Sequence, residues 1–209
     1  MKRQRYYDLF SEYYDQFIRL HSKDRTNSAR RYLARKTGVG SGDRVLDLCT
    51  GTGAVAIALS DCVGPDGMVV GIDFSAGMLK KAKEKSIGQG IRNIEWIRAD
   101  VTNMPFKDYS FSAVTSSYAF YELKGTSRNR VLQEVVRTTR PGGRFCMMEH
   151  DIPENPLVRI LFYIRIYVAG LKGVRQFLKE ELSLFQQFFK NVEKESIHGG
   201  RSKIICGRV

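Results

Sequence analysis

Five prolines, four cysteines, three histidines and one tryptophan are few for 209 residues. The cysteines, Cys49, Cys62, Cys146 and Cys206, stand far apart, with no C-x-x-C pair and no histidine at zinc-ligand spacing. Such spacing excludes a metal knuckle and indicates no disulfide lattice, so no metal is expected and a reducing cytoplasm suits the chain. No apolar run of spanning length is free of charge, and the opening Met-Lys-Arg-Gln-Arg-Tyr-Tyr-Asp has no apolar stretch behind its positive start. Neither a membrane span nor an export signal is therefore expected. Internal repeats and low-complexity tracts are missing too, and 43% hydrophobic with 27% charged residues is material for one sizeable core. A single domain over residues 1–209 is expected.

Acidic residues are the other shortage: 22 Asp and Glu against 34 Lys and Arg leave a net charge of +12. The excess lies at the two ends. Residues 1–40 carry 10 basic and 4 acidic side chains, 41–151 carry 14 and 13, and 152–209 carry 10 and 5. A near-neutral middle between basic flanks reads as a cofactor-binding body whose attachments meet something anionic, such as a membrane surface or an acidic substrate. Nucleic acid fits less well, because no recognition module and no aromatic, basic strand platform is present.

Helical patterns over 5–20 and 28–36 precede Gly38, Gly40 and Gly42, after which Arg44-Val45-Leu46-Asp47-Leu48 reads as a first strand. Residues 54–59 read as a buried helix, Gly64-Pro65-Asp66-Gly67 as a turn, and 68–72 as a second strand. Ser75 caps a helix reaching about Lys85, strands follow at 94–97 and 111–115, a helix at 127–138, and a strand at 144–148 after Pro141-Gly142-Gly143. This alternation predicts an α/β fold: a doubly wound, mainly parallel, seven-stranded Rossmann-like sheet, with ligands beyond the carboxyl ends of its strands. In the tail, 157–171 is apolar on nearly every side except Arg159 and Arg165, and 174–189 carries one apolar helical stripe beyond Gly170 and Gly173. Residues 191–197 and 203–206 predict a closing antiparallel hairpin.

The chemistry concentrates in Asp47-Leu48-Cys49-Thr50-Gly51-Thr52-Gly53, a carboxylate at a strand end followed by two glycines that admit a ligand close to the backbone. Asp73 ends the next strand, where a carboxylate can take ribose hydroxyls, and Asp100 follows the third. Gly51 to Ala56 also fits the dinucleotide pattern, which keeps an NAD-type site as a rival. Asp47 beside a pyrophosphate counts against that rival, whereas a cofactor carrying an amine and a sulfonium tolerates such carboxylates. Taken singly, Asp73 and Asp100 also suit helix capping or turn formation.

Residues 45–53, 70–78, 98–106 and 140–148 resemble the successive signature segments of class I S-adenosylmethionine (SAM) dependent methyltransferases. The wording is closest to the UbiE-type branch, which methylates quinone precursors: Asp47 to Gly53, Asp73-Phe74-Ser75-Ala76-Gly77-Met78-Leu79, and Met104-Pro105-Phe106 before Phe111. The resemblance covers about residues 41–151 and implies SAM as cofactor and S-adenosylhomocysteine as product. It implies Gly51 and Gly53, with Cys49 and Thr50, under the methionine and ribose portion, Asp73 on the ribose, and Asp100 on the adenine amine. Val101 and Phe74 fall on the adenine faces, Met78 completes that side, and Asp47 holds the loop or the methionyl ammonium. Ser116 stands beside the methionyl portion, and Tyr14, in Tyr13-Tyr14-Asp15, belongs to an N-terminal helical lid over residues 1–40. Two departures stand out: the stretch after Leu171 is short, and Ser116-Ser117-Tyr118-Ala119-Phe120-Tyr121-Glu122-Leu123 follows the fourth strand.

A methyl sulfonium is already activated, so an enzyme chiefly aligns the nucleophile and excludes water. A base is needed only where the acceptor must first lose a proton. Tyr118, Tyr121 and Glu122 after the fourth strand, and Glu149, His150 and Asp151 after the fifth, lie where one would stand; His150, with Tyr118 and Tyr121, is the catalytic choice. The expected acceptor is small and lipophilic, a quinone precursor before a phospholipid amine headgroup. Residues 152–209 are expected to form acceptor-side helices and the hairpin, with 157–171 either packing beside the sheet or meeting an anionic membrane peripherally.

Overall fold

The computed structural model describes residues 27–123, 125–152, 174–197 and 202–209, together with 156, 159–161, 163 and 164. Its elements run in the expected order. Helix α1 is Ser28–Lys36, β1 Arg44–Leu48, α2 Ala54–Val63, β2 Met68–Asp73, α3 Ala76–Gly88, β3 Ile94–Arg98 and β4 Phe111–Ser117. A 3-10 turn at Phe120–Glu122 follows, then α4 Ser127–Thr138, β5 Thr139–His150, α5 Val174–Phe188, β6 Lys190–Ile197 and β7 Ser202–Arg208.

The seven strands lie in the order β3-β2-β1-β4-β5-β7-β6. All pairs from β3 to β5 are parallel, and β5–β7 and β7–β6 are antiparallel, so the closing hairpin is added at one edge. Strand order reverses between β1 and its neighbour β4, and such a switch point opens a crevice beyond the strand ends. The β1 strand buries Val45, Leu46, Asp47 and Leu48, the pattern of a central strand covered on both faces. On one face Val45, Val69, Ala113 and Ile204 pack with α1 and α2. On the other, Leu46, Ile72, Val114 and Phe145 pack with α4 and α5, where Phe145 stacks on Phe185 with centroids 5.4 Å apart. Each such side chain, fully buried, is worth about 1.5–3 kcal/mol, which fixes both layers on the sheet.

Two expectations need correction. The fifth strand begins at Thr139, ahead of Pro141-Gly142-Gly143, because Thr139 pairs with Phe111 before a bulge shifts the register to Ala113–Arg144. Cys146 and Cys206, 60 positions apart, face each other across β5 and β7 with Cα atoms 4.2 Å apart and form a disulfide. Sequence separation hid a pairing that strand register creates. The helix expected over 157–171 and the Gly170 and Gly173 break lie largely outside the described residues, as do the N-terminal helix over 5–20 and Tyr14.

Candidate functional site

The loop after β1 closes on itself. Cys49 and Gly51 are both left-handed, at φ 51° and 54°, and Gly53, at φ 80°, caps α2. The Thr50 amide donates to the Ile72 carbonyl, the Gly53 amide to the Thr50 carbonyl, and the Gly51 amide to Asp73 Oδ2 at 2.9 Å. All three of these loop amides are committed within the fold. The two glycines face different surroundings. A Cβ on Gly53 would meet the Trp96 ring at 2.5 Å and Ala82 at 3.0 Å, whereas one on Gly51 would meet nothing within 4 Å. Gly53 lets the loop seat on Trp96, and Gly51 leaves an open side toward the crevice. Trp96 also fills the space beneath Gly71, a supporting role that its place in a short strand did not reveal.

Asp47 is buried and accepts hydrogen bonds from the Thr50 hydroxyl at 2.6 Å and the Thr115 hydroxyl at 2.7 Å. It therefore ties the loop to β4. Burial raises its carboxyl to about 6, opposed by those two hydroxyls. Asp73, at the end of β2, uses Oδ2 for Gly51 and Oδ1 for the Ser75 amide at 2.9 Å. Burial, with Asp73 and Asp47 nearby, raises the half-buried Cys49 thiol, as do Glu122 and Glu149 from the strand-end side. Four carboxylates, from four segments, thus lie near enough to Cys49 to disfavour its thiolate.

At the β2–β3 end, Ser75 accepts from the Met78 amide and starts α3, placing Met78 in the core while Phe74 is partly exposed. The Ala99 amide donates to the Asp73 carbonyl, bringing the Asp100 loop beside the Asp73 loop. Asp100 Oδ1 accepts from the Thr102 amide and hydroxyl, so its turn is self-held, and Val101 is buried. Further on, Glu134 and Arg137 of α4 brace this loop. Glu134 Oε2 accepts from the Met104 amide, and Arg137 donates to the Met104 and Phe106 carbonyls, Asp108 and Glu134. Those two α4 residues look in sequence like an ordinary i,i+3 surface pair, and only the tertiary fold shows what they hold.

The ends of β4 and β5 form the other wall. Ser116 is fully buried and its hydroxyl has no hydrogen-bond partner. Tyr118 leaves β4 at φ 53°, a backbone state costly for a bulky residue, with its amide on the Met148 carbonyl. The His150 ring lies 4.8 Å from that of Tyr118 and 5.8 Å from that of Tyr121, and the Tyr118 and Ser202 hydroxyls share a hydrogen bond of 2.8 Å. The three expected catalytic residues are thus brought together.

The profile of the ubiE/COQ5 methyltransferase family matches residues 1–193. The chain belongs to that family. A demethylmenaquinone methyltransferase of Lactobacillus johnsonii is 35% identical over 158 residues, covering 74% of the chain and 64% of the relative. A 2-phytyl-1,4-naphtoquinone methyltransferase of Nostoc punctiforme is 36% identical over 154 residues, covering 69% and 66%. The chain therefore spans just under two thirds of these relatives' lengths. Among solved structures, a Haloferax volcanii methyltransferase bound to its Trm112 activator superposes with TM-score 0.72 at 20% identity, over 97% of this chain and 96% of that one. The PH0226 protein of Pyrococcus horikoshii gives 0.67 at 23% identity, over 94% and 98%. At those identities the likeness establishes the shared Rossmann-like methyltransferase fold.

Proposed function

We propose that this ubiE/COQ5 family member transfers a methyl group from SAM to a ring carbon of a lipophilic quinol, releasing S-adenosylhomocysteine. The observation that carries the reading is the commitment of the loop amides at Thr50, Gly51 and Gly53 to the fold, while carboxylates converge on the crevice. That donor set suits a cofactor with an ammonium, a ribose and a sulfonium, and suits a pyrophosphate poorly. Gly51 gives it room, Asp73 takes the ribose hydroxyls, and Ser116 and Asp47 stand on the methionyl side. Asp100, Val101, Phe74 and Met78 form the adenine end.

Bound SAM supplies an electrophilic methyl on a positively charged sulfur. The chain's own work is to orient the acceptor and exclude water. A quinol carbon attacks the methyl, breaking its bond to sulfur, once a neighbouring hydroxyl gives up its proton, and His150, half-buried between two tyrosine rings, is the group we assign to take it; the ring carbon then loses its own hydrogen as a proton while the oxygen regains one, restoring the aromatic quinol. Tyr118 and Tyr121 line the ring of the acceptor. The quinone names of the relatives support this class of acceptor.

Among the described residues no helix is long and apolar enough to cross a membrane. Ile160, Leu161 and Ile164 are more than half exposed on helical residues of the basic tail, which supports peripheral contact with anionic lipid. Calorimetry with SAM, followed by labelled SAM with reduced 1,4-naphthoquinones and with phospholipid vesicles, tests the reading. Absence of SAM binding refutes it, and label in phospholipid headgroups moves the acceptor class. His150→Ala should lose about 100-fold in turnover with SAM affinity kept; unchanged turnover removes it as the base.

A further inference from the structure

Three buried ionic groups, Glu149, Glu181 and Lys203, lie behind the wall just described, and the mechanism uses none of them. Glu149 of β5 and Lys203 of β7 are directly paired in register, and neither is exposed. Lys203 forms an ion pair with Glu181 of α5, itself buried, and Lys194 reaches the same carboxylate at 3.5 Å. Glu149 Oε1 accepts from the Phe120 amide at 2.7 Å, while Oε2 is buried without a hydrogen-bond partner. The same turn is gripped from its other side. Arg128 of α4 donates to the Phe120 carbonyl and the Tyr121 carbonyl, each at 3.3 Å, with its guanidinium 4.1 Å over the Phe177 ring.

The Phe120–Glu122 turn is thus held by its amide from β5 and by its carbonyls from α4. It begins two residues after the strained Tyr118, and Tyr121 and Cys49 pack on one buried cluster with Phe120 between β4 and α5. Burying a carboxylate with one unmatched oxygen costs several kcal/mol, and an apolar side chain of similar volume would serve packing better. Ser116 Oγ, on the same face at the end of β4, is a second buried and unmatched oxygen. Packing alone accounts for neither group. Both stand where the turn meets the crevice.

We propose that Glu149 is a positioning residue for methyl transfer: with Arg128 it clamps the Phe120–Glu122 turn, so that Tyr121 and Glu122 form a fixed acceptor-side wall. The proposal rests on the methyltransferase reading above. It adds that the buried Glu149–Lys203–Glu181 chain couples α5 and the closing hairpin to that wall. Burial raises the Glu149 carboxyl to about 8, opposed by the Phe120 and Tyr121 amides and by Lys203, so near neutral pH the group is mostly protonated and still offers an oxygen to the Phe120 amide.

The test uses the full chain, with Glu149→Ala, which removes the acceptor of the Phe120 amide, and Glu149→Gln, which keeps a carbonyl oxygen in its place. Hydrogen exchange of residues 118–123 should quicken about tenfold or more in Glu149→Ala and return close to the parent rate in Glu149→Gln. With reduced 1,4-naphthoquinone as acceptor, kcat/KM should fall about tenfold or more in Glu149→Ala and recover in Glu149→Gln, while SAM affinity stays within about threefold. Exchange unchanged in Glu149→Ala overturns the clamp. Faster exchange with unchanged acceptor kinetics, or an equal loss of SAM affinity, overturns the positioning role. If the parent chain itself methylates no quinol, the acceptor reading fails and the exchange measurement alone decides the clamp.

Discussion

Replacing Gly51 and Gly53 separately by alanine should damage the protein in two different ways. Gly53 has φ 80°, and an added Cβ meets the Trp96 ring at 2.5 Å and Ala82 at 3.0 Å. The left-handed backbone costs a residue with a Cβ about 1–2 kcal/mol, and overpacking a closed site about 1–3 kcal/mol more. At about 2–4 °C per kcal/mol for a chain of this size, Gly53→Ala should lower Tm by about 4–20 °C. Gly51, at φ 54°, carries the same conformational cost but meets nothing within 4 Å, so Gly51→Ala should lower Tm by only about 2–8 °C. Its new methyl instead occupies the side we assign to the cofactor, and SAM affinity should fall at least about tenfold, or about 1.4 kcal/mol. Thermal melts by circular dichroism measure the first effect and calorimetry the second. Trp96 is the only tryptophan in the chain and abuts the loop from beneath, so its fluorescence reports the same binding. The reasoning is refuted if Gly51→Ala melts as early as Gly53→Ala, or binds SAM as the parent does.

Three other outcomes are expected. Burial raises Asp47 to about 6 and Glu149 to about 8, from 3.8 and 4.5. In each the folded chain keeps a proton that the unfolded chain has lost, so stability falls with rising pH from about 4 to 6 for Asp47 and from about 4.5 to 8 for Glu149. Calorimetric Tm without cofactor should show this, and Glu149→Gln should flatten the slope between pH 6 and 8; an unaltered slope contradicts the assignment. Arg137→Met removes the donors that brace the Met104 and Phe106 carbonyls and should cost about 1–2 kcal/mol. It should also weaken SAM binding, since the braced loop follows Val101, and a stability loss with unchanged affinity separates that loop from the cofactor. Finally, the Cys146–Cys206 bridge closes a loop of about 60 residues and should contribute about 4 kcal/mol on the chain-entropy account. Cys206→Ser should lower Tm accordingly under non-reducing conditions, and thiol counting by mass should find two free cysteines in the parent; four free thiols would contradict the pairing.

Much of the fold was legible because parallel strands and their helices are local patterns. The β1 strand at Arg44–Leu48 and the Ser75 cap stand where apolar runs and a side-chain oxygen put them, since burial on both faces and an orphan helix amide act over a few residues. Strand β5 was read too short because its start depends on a bulge opposite Phe111, which no local pattern announces. Asp47, Asp73 and Gly51 stood at neighbouring strand ends in the sequence, but the hydrogen bonds that join them into one loop unit were not readable there.

By itself, the sequence determined the order of the elements, the acidic residues at successive strand ends, and the basic flanks, because each follows from residue type and period. Tertiary structure alone decided that Gly53 faces Trp96 while Gly51 faces open space, that Cys146 meets Cys206, and that Glu149 reaches the turn after β4. Those contacts join residues about 30 to 60 positions apart, or set one side of a loop against the other. Only the closing of the sheet brings such groups within bonding distance, and only burial then sets their charge.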